Sequence, residues 1–255
     1  MKAASLLLFI TLAIGANTDD KVDEANRYMD RLLQETFPQR GGVVGWTRLN
    51  GFGFKLSKKS RLGLLKRDNS LLDSLSQPAY KDSVEKRGIK IRTEREVAVK
   101  MDDGSVSGLH ALRRLGDCSP PMWQLDSVVL SCYVSLDGIT AEYQGQMTTR
   151  KKTAGFVRDT RNDEVRVKGA MTDAKAFIEV KGTPGAEPTI AGWSVMPYSL
   201  RMTYSKSVRD LDREVRDSVK TQMKKSIKGN LDTFLYGQLK RGLETAVKFE
   251  PLPTP

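Results

Sequence analysis

The sequence predicts an α+β protein: a strongly curved antiparallel β-sheet wrapped around a long C-terminal α-helix, with an amphipathic helix at the N-terminus of the mature chain. Three observations predict it. Apolar residues fall at helical spacing before Pro38, they alternate with polar residues between Ile89 and Tyr204, and one apolar stripe then runs from Val208 to Val247. Each step of four along that stripe advances the apolar face by roughly 40° on a helix of about 3.6 residues per turn. Between Leu211 and Val247 the face therefore travels around the cylinder. A flat sheet does not require that of a helix; a curved sheet gripping it on several sides does.

The chain opens with Met1-Lys2, an apolar run from Ala3 to Ile14, and small residues at Gly15-Ala16. This is the grammar of a cleavable export signal over residues 1–16, with cleavage after Gly15 or Ala16. The run falls short of the roughly 20 apolar residues a membrane-spanning helix needs. The alternative, a buried N-terminal helix, is opposed by the abrupt change to Asn17-Thr18-Asp19-Asp20. Residues 17–255 are expected to form a single domain, secreted and extracellular. The formal charge of +11 includes Lys2 and falls to +10 on cleavage. That excess favours anionic lipid headgroups or sulfated glycans; nucleic acid is the least natural such partner outside the cell. In an oxidising compartment Cys118 and Cys132 are most simply one disulfide, the alternative being two free buried thiols. A bridge would close a loop of about 15 residues and contribute roughly 3 kcal/mol by loop entropy.

The N-terminal helix is expected over residues 17–36, with Val22, Ala25, Met29, Leu32 and Leu33 on one face and acids in its first turns, stopped by Pro38 and Gly41-Gly42. Residues 43–88 are the least legible. Phe52, Phe54 and Leu56 alternate as in an edge strand, Lys55, Lys58, Lys59, Arg61, Lys66 and Arg67 make the stretch basic, and Leu71-Leu72 allows a helical excursion. Strand periodicity follows from Ile89 to Met101, with a tight reversal at Asp102-Asp103-Gly104 and a return segment to Gly116. Val128 to Leu136 alternates with serines, and Asp137-Gly138 turns it into Ile139–Tyr143. Further strands are expected at Val165–Val167, Ala174–Val180 and Ile190–Tyr204, separated by turns at Arg161-Asn162-Asp163 and Thr183-Pro184-Gly185. The whole reads as one antiparallel meander with a wet face. The terminal helix follows, with a kink at Gly229-Asn230.

One run is more specific: Gly108-Leu109-His110-Ala111-Leu112-Arg113-Arg114-Leu115-Gly116-Asp117. It resembles the Gly-Leu-x-x-Met/Leu-Lys/Arg-Arg-Val-Gly-Asp segment of the mite group 7 allergens. Those belong with the arthropod juvenile-hormone-binding and takeout-like proteins and the bactericidal/permeability-increasing tubular lipid carriers. The resemblance implies a sheet curved around the terminal helix and an apolar groove for a lipid-like ligand. The cysteine pair and the basic stretch at residues 55–67 have no counterpart in that pattern.

Catalytic chemistry finds little material. His110 is the sole histidine and lies in a strand-like run, so a nucleophile–histidine device and a zinc site both lack partners. In Gly104-Ser105-Val106-Ser107-Gly108 a valine stands where a nucleophile elbow needs serine. No catalytic residue, metal ligand or cofactor is assigned. The expected function is a secreted, non-enzymatic binding protein for a lipid or other apolar ligand, anionic or bacterial lipid fitting the charge better than a neutral hormone. The alternative is a secreted basic protein that binds anionic glycans or a host protein through its surface. Candidate ligand contacts are Phe177, Ile178, Val195, Met196, Met202, Val219 and Met223, the methionines favoured for their adaptability. Arg150-Lys151-Lys152, read as a loop tip, is the candidate anionic-surface contact. The series Arg216, Lys220, Lys224, Lys228 reads as a solvated helix face.

Overall fold

The computed structural model describes residues 19–42, 47–61, 92–153, 156–183 and 185–255. The export signal, Lys66, Arg67, the Leu71-Leu72 excursion, Ile89 and Ile91 lie outside the described residues.

Helix α1 (residues 19–31) buries Ala25, Tyr28 and Met29, and a π-helical turn, Leu32–Thr36, carries it into α2 (Phe37–Arg40). Pro38 does not stop the helix as expected. It falls in the first turn of α2, just after the widened turn, where its missing N–H is tolerated. The chain leaves the helix at Gly41-Gly42, where Gly42 has a φ of 65°.

The strands are β1 (Thr47–Leu49), β2 (Phe52–Arg61), β3 (Arg92–Met101), β4 (Gly104–Ser107), β5 (Arg113–Arg114), β6 (Met122–Gln124), β7 (Ser127–Ser135), β8 (Thr140–Thr153), β9 (Phe156–Thr172), β10 (Lys175–Gly182), β11 (Thr189–Val195) and β12 (Ser199–Tyr204). They form two antiparallel sheets, not one meander. The first contains β1, β2, β3, β4, β8, β9 and β12; the second contains β5, β6, β7, β10 and β11. The chain passes between sheets after β4, after β7 at Asp137-Gly138, after β9 and after β11. Alternation marks which face of a strand is buried, but it does not name the strand's partner.

Three expected turns are absent for identifiable reasons. At Asp102-Asp103-Gly104 the chain runs straight on: β3 and β4 both pair antiparallel with one edge of β8, through Met101↔Gly145 and Ser105↔Glu142. β1 and β2 repeat this against β4 and β3. One backbone amide and one carboxylate hold the break in place. The Asp102 amide donates to the Gln144 carbonyl at 2.8 Å, and the Asp103 carboxylate accepts from the Gly51 amide at 2.9 Å and pairs with Arg48. Arg161-Asn162-Asp163 lies inside β9, where Thr148 Oγ1 donates to Asn162 Oδ1 at 2.8 Å across the strand pair. Arg150-Lys151-Lys152 lies within β8, between β3 and β9, and is not a loop tip. The expected strand Ile190–Tyr204 is two, β11 in the second sheet and β12 in the first, split by Met196-Pro197-Tyr198.

The C-terminal helix comprises a short α3 (Lys206–Arg209), then α4 (Arg213–Phe234), a π-turn at Leu235–Leu239, and α5 (Lys240–Val247). Gly229-Asn230 does not kink it; the irregular turn comes six residues later. Val219, Met223, Ile227, Leu231, Leu235, Leu239 and Val247 are fully buried. α4 packs against β1, β2 and β12 of the first sheet, whereas α5 packs against β11 of the second and against α2. The rotating stripe thus records a change of partner along the helix, with the core shared by both sheets.

Candidate ligand-binding site

A cavity of about 290 Å³ opens where α4 begins on the first sheet. Val97 of β3, with Leu211 of the α3–α4 link and Val215 of α4, supplies its apolar floor. Arg95, Lys151, Arg161, Asp159, Asp163, Asp210 and Asp212 surround the floor with three cations and four carboxylates. Arg95 pairs with Asp212 and Arg161 with Asp163, at 2.8 Å in the second case. The two arginines are thereby held at the rim. An apolar tail can lie on the floor while a polar head meets a rim that offers both signs of charge.

Position in the sheet decides what each expected contact does. Val219, Met223 and Ile178 are wholly buried. Met202 of β12 is part-buried beside α4: a Cβ on Gly169 would lie 3.1 Å from Met202 Sδ and 3.3 Å from Ile227 Cγ2. Val195 packs against the core from β11, and Met196 is half-buried beyond it. Phe177 alternates out of the face that buries Ala176, Ile178 and Val180, and stacks edge-on with Tyr133 at 5.7 Å. None of the seven expected ligand contacts, Phe177, Ile178, Val195, Met196, Met202, Val219 and Met223, lines this cavity; Leu211 and Val215, expected only as members of the apolar stripe, do. Lys151 is exposed and lines the rim, Arg150 is exposed on β8, and the side chain of Lys152 lies outside the described residues. The rim residues Asp210 and Asp212 escaped the sequence reading. Their signal is the polar interruption on either side of Leu211, just where the apolar stripe begins.

The helix cations are not simply solvated. Lys220 Nζ lies 5.2 Å from the Tyr204 ring centre and Lys228 Nζ 5.0 Å from that of Tyr198. Tyr204 donates to the Lys220 carbonyl at 3.3 Å, and Tyr198 donates to Asp232 Oδ1 at 2.7 Å. Burial pushes the Tyr204 hydroxyl up to about 12. Tyr198 rises too, first through burial and then because its bond to Asp232 requires its proton.

The Gly108–Asp117 run is a clamp for the N-terminal helix. It is not a strand: it forms a 3₁₀ turn at Leu109–Ala111, with Leu109 and Leu112 buried and His110 exposed, followed by β5. Gly108 has a φ of 88°, and a Cβ there would meet the Gly138 carbonyl oxygen at 2.3 Å. Arg114 grips both carboxylate oxygens of Asp30 at 3.2 Å. Asn26 donates to Asp117 at 3.0 Å and accepts the Cys118 amide at 2.9 Å. The disulfide Cys118–Cys132 then ties this clamp to β7.

No family model matches the chain. Over 248 residues, 97% of each chain, it is 21% identical to the salivary anticoagulant protein P23 of the tick Ixodes scapularis. Among solved structures it aligns with takeout 1 of Epiphyas postvittana at 11% identity and a TM-score of 0.35, covering 89% of this chain and 91% of that one.

Proposed function

We propose that the chain is a secreted, non-enzymatic binding protein for an amphipathic, lipid-like ligand, formed by residues 17–255 after removal of the signal at residues 1–16. The observation that carries this reading is the cavity of about 290 Å³ at the start of α4, with an apolar floor inside a charged rim. Its volume is close to the lower end of small-ligand pockets, roughly 300 Å³. The alkyl part of the ligand rests on Val97, Leu211 and Val215. Three cations against four carboxylates suit a zwitterionic or neutral polar head, so the anionic preference expected from the net charge is not carried at this rim. The likeness of Gly108–Asp117 to the mite group 7 allergens, and the full-length similarity to a tick salivary protein, support a place in the wider superfamily of arthropod apolar-ligand carriers.

The test is native mass spectrometry and organic extraction of the protein secreted from eukaryotic cells, followed by uptake of a fluorescent fatty acid. Extractable lipid and saturable uptake are expected, displaced better by lysophosphatidylcholine than by lysophosphatidylglycerol. Leu211→Glu, at a part-exposed position and with an intact fold checked by circular dichroism, is expected to weaken uptake sharply, because a carboxylate on the apolar floor opposes an alkyl chain. Absence of both lipid and uptake would overturn the proposal.

A second reading rests on the charge of +11 and on similarity to a protein named as a salivary anticoagulant. In it, the exposed cations, Arg150 and Lys151 among them, bind a sulfated glycan, an anionic membrane or a clotting protein of the host. Late elution from heparin, with prolonged clotting by lipid-free protein, would favour it.

A further inference from the structure

We infer that the hairpin between β6 and β7 is a lipid-surface docking element, which dips its apolar apex into the interface of a neutral membrane or lipid particle. Met122 and Trp123 are 56% and 57% exposed, and Leu125, in the two-residue turn, is 92% exposed. Leu125 has a φ of 57°. That left-handed conformation in a hairpin turn ordinarily belongs to Asn, Asp or Gly. The chain thus places a large apolar side chain at the apex, where both backbone preference and solvation oppose it.

The two faces of the hairpin identify the occupant. Consecutive strand residues point to opposite sides. Trp123, in register with the buried Val128, lines an apolar pocket of about 280 Å³ with Gly182, Pro188 and Leu252; Met122, in register with Val129, stands on the other face. A rigid protein partner covers one face of a hairpin, and a small ligand needs a concavity. A tip that carries a large apolar side chain on each face and another at its apex, with Gln124 and Asp126 exposed between them, suits a fluid medium that surrounds it at the polar–apolar boundary. Trp is also a side chain that settles at headgroup level, its ring in the apolar zone and its N–H in the wet one. Asp126, exposed beside Leu125, keeps insertion shallow, since burying its carboxylate would be costly. The pocket behind Trp123 opens next to the inserted tip, so lipid could pass between them without crossing water.

Docking by apolar burial differs from attraction of Arg150 and Lys151 to an anionic surface, and its test separates the two. The full chain is sedimented with sucrose-loaded vesicles of pure phosphatidylcholine at low and at high salt. Wild-type protein is expected to pellet equally at both. Leu125→Asp should lower the partition coefficient about tenfold or more, as loss of one apolar anchor implies. Brominated phosphatidylcholine should quench tryptophan emission much more in wild type than in Trp123→Phe, which retains Trp46 and Trp193. Both substitutions are at exposed positions; unchanged circular dichroism and fatty-acid uptake will report an intact fold. Wild-type protein left in the supernatant, or equal pelleting of Leu125→Asp, would overturn the proposal. So would sedimentation equilibrium showing a dimer that Leu125→Asp dissociates, because the tip would then be a contact between copies. Failed docking with retained uptake rejects the hairpin role and leaves the cavity reading standing.

Discussion

Single side chains hold the break shared by β1–β2 and β3–β4. Asn230, near the middle of the long helix, donates to both the Asn50 carbonyl and the Tyr143 hydroxyl at 2.8 Å. Tyr143 stacks edge-on against Phe52 at 5.1 Å, and a Cβ on Gly104 would reach its ring at 2.5 Å. Asn230→Ala removes two bonds at once and should destabilise the protein by about 1–3 kcal/mol in urea unfolding. Added to Tyr143→Phe, it should cost less than the two single changes summed, since both break the same contact. Two glycines make a sharper comparison. Gly108→Ala combines a left-handed φ with a Cβ 2.3 Å from a carbonyl oxygen, and should cost at least about 2 kcal/mol or prevent folding. Gly229→Ala, mid-helix with nothing within 4 Å, should stabilise by up to about 1 kcal/mol. The helix glycine was legible as a break in the pattern, yet its neighbour Asn230 is what the fold uses there.

At the scale of elements, α1 is fixed by the Gly108–Asp117 clamp and its disulfide. The bridge closes a short loop, with a sequence separation of 14, between the clamp and β7. Its reduction should lower stability by roughly 3 kcal/mol and Tm by several degrees, and native protein should resist alkylation. Arg114→Ala should act on the same junction, so its effect and that of reduction should not add. Hydrogen exchange should show α1 losing protection before α4 does, since α4 is packed against one sheet and α5 against the other.

For the molecule as a whole, four tyrosines among the described residues have raised pKa values. Burial raises Tyr28; burial outweighs the Asn230 bond in taking Tyr143 to about 12; Tyr198 and Tyr204 lie beneath the helix. A group whose pKa is raised in the folded state binds its proton more tightly there than when unfolded. Its contribution is complete below the unfolded value near 10 and is lost as pH rises through the folded value. Stability should therefore decline from about pH 10 upward, and absorbance titration should show these phenols ionising together with unfolding. Asp103 acts at the other end of the scale. The Gly51 amide, with Arg48, holds its carboxyl below the usual range, so its small, solvent-exposed contribution is present above the unfolded value and fades as pH falls through the folded one.

The sequence by itself determined the α+β class, the two terminal helices, the buried parity of Val128 to Leu136, and the apolar stripe from Val208 to Val247. Each is a local periodicity, and burial of one face writes that periodicity directly into the chain. Only the tertiary structure decided that β7 and β8 belong to different sheets, that Asp102-Asp103-Gly104 continues a strand, and that Arg150-Lys151 lies inside one. Those facts depend on which backbone meets which, and a strand pairs through main-chain groups that every residue carries alike. The candidate site was half legible for the same reason. Leu211 and Val215 announced themselves as part of the stripe, but the open space beside them and five of the seven charges around it come from β3, β8 and β9, which meet the helix only when the first sheet has formed.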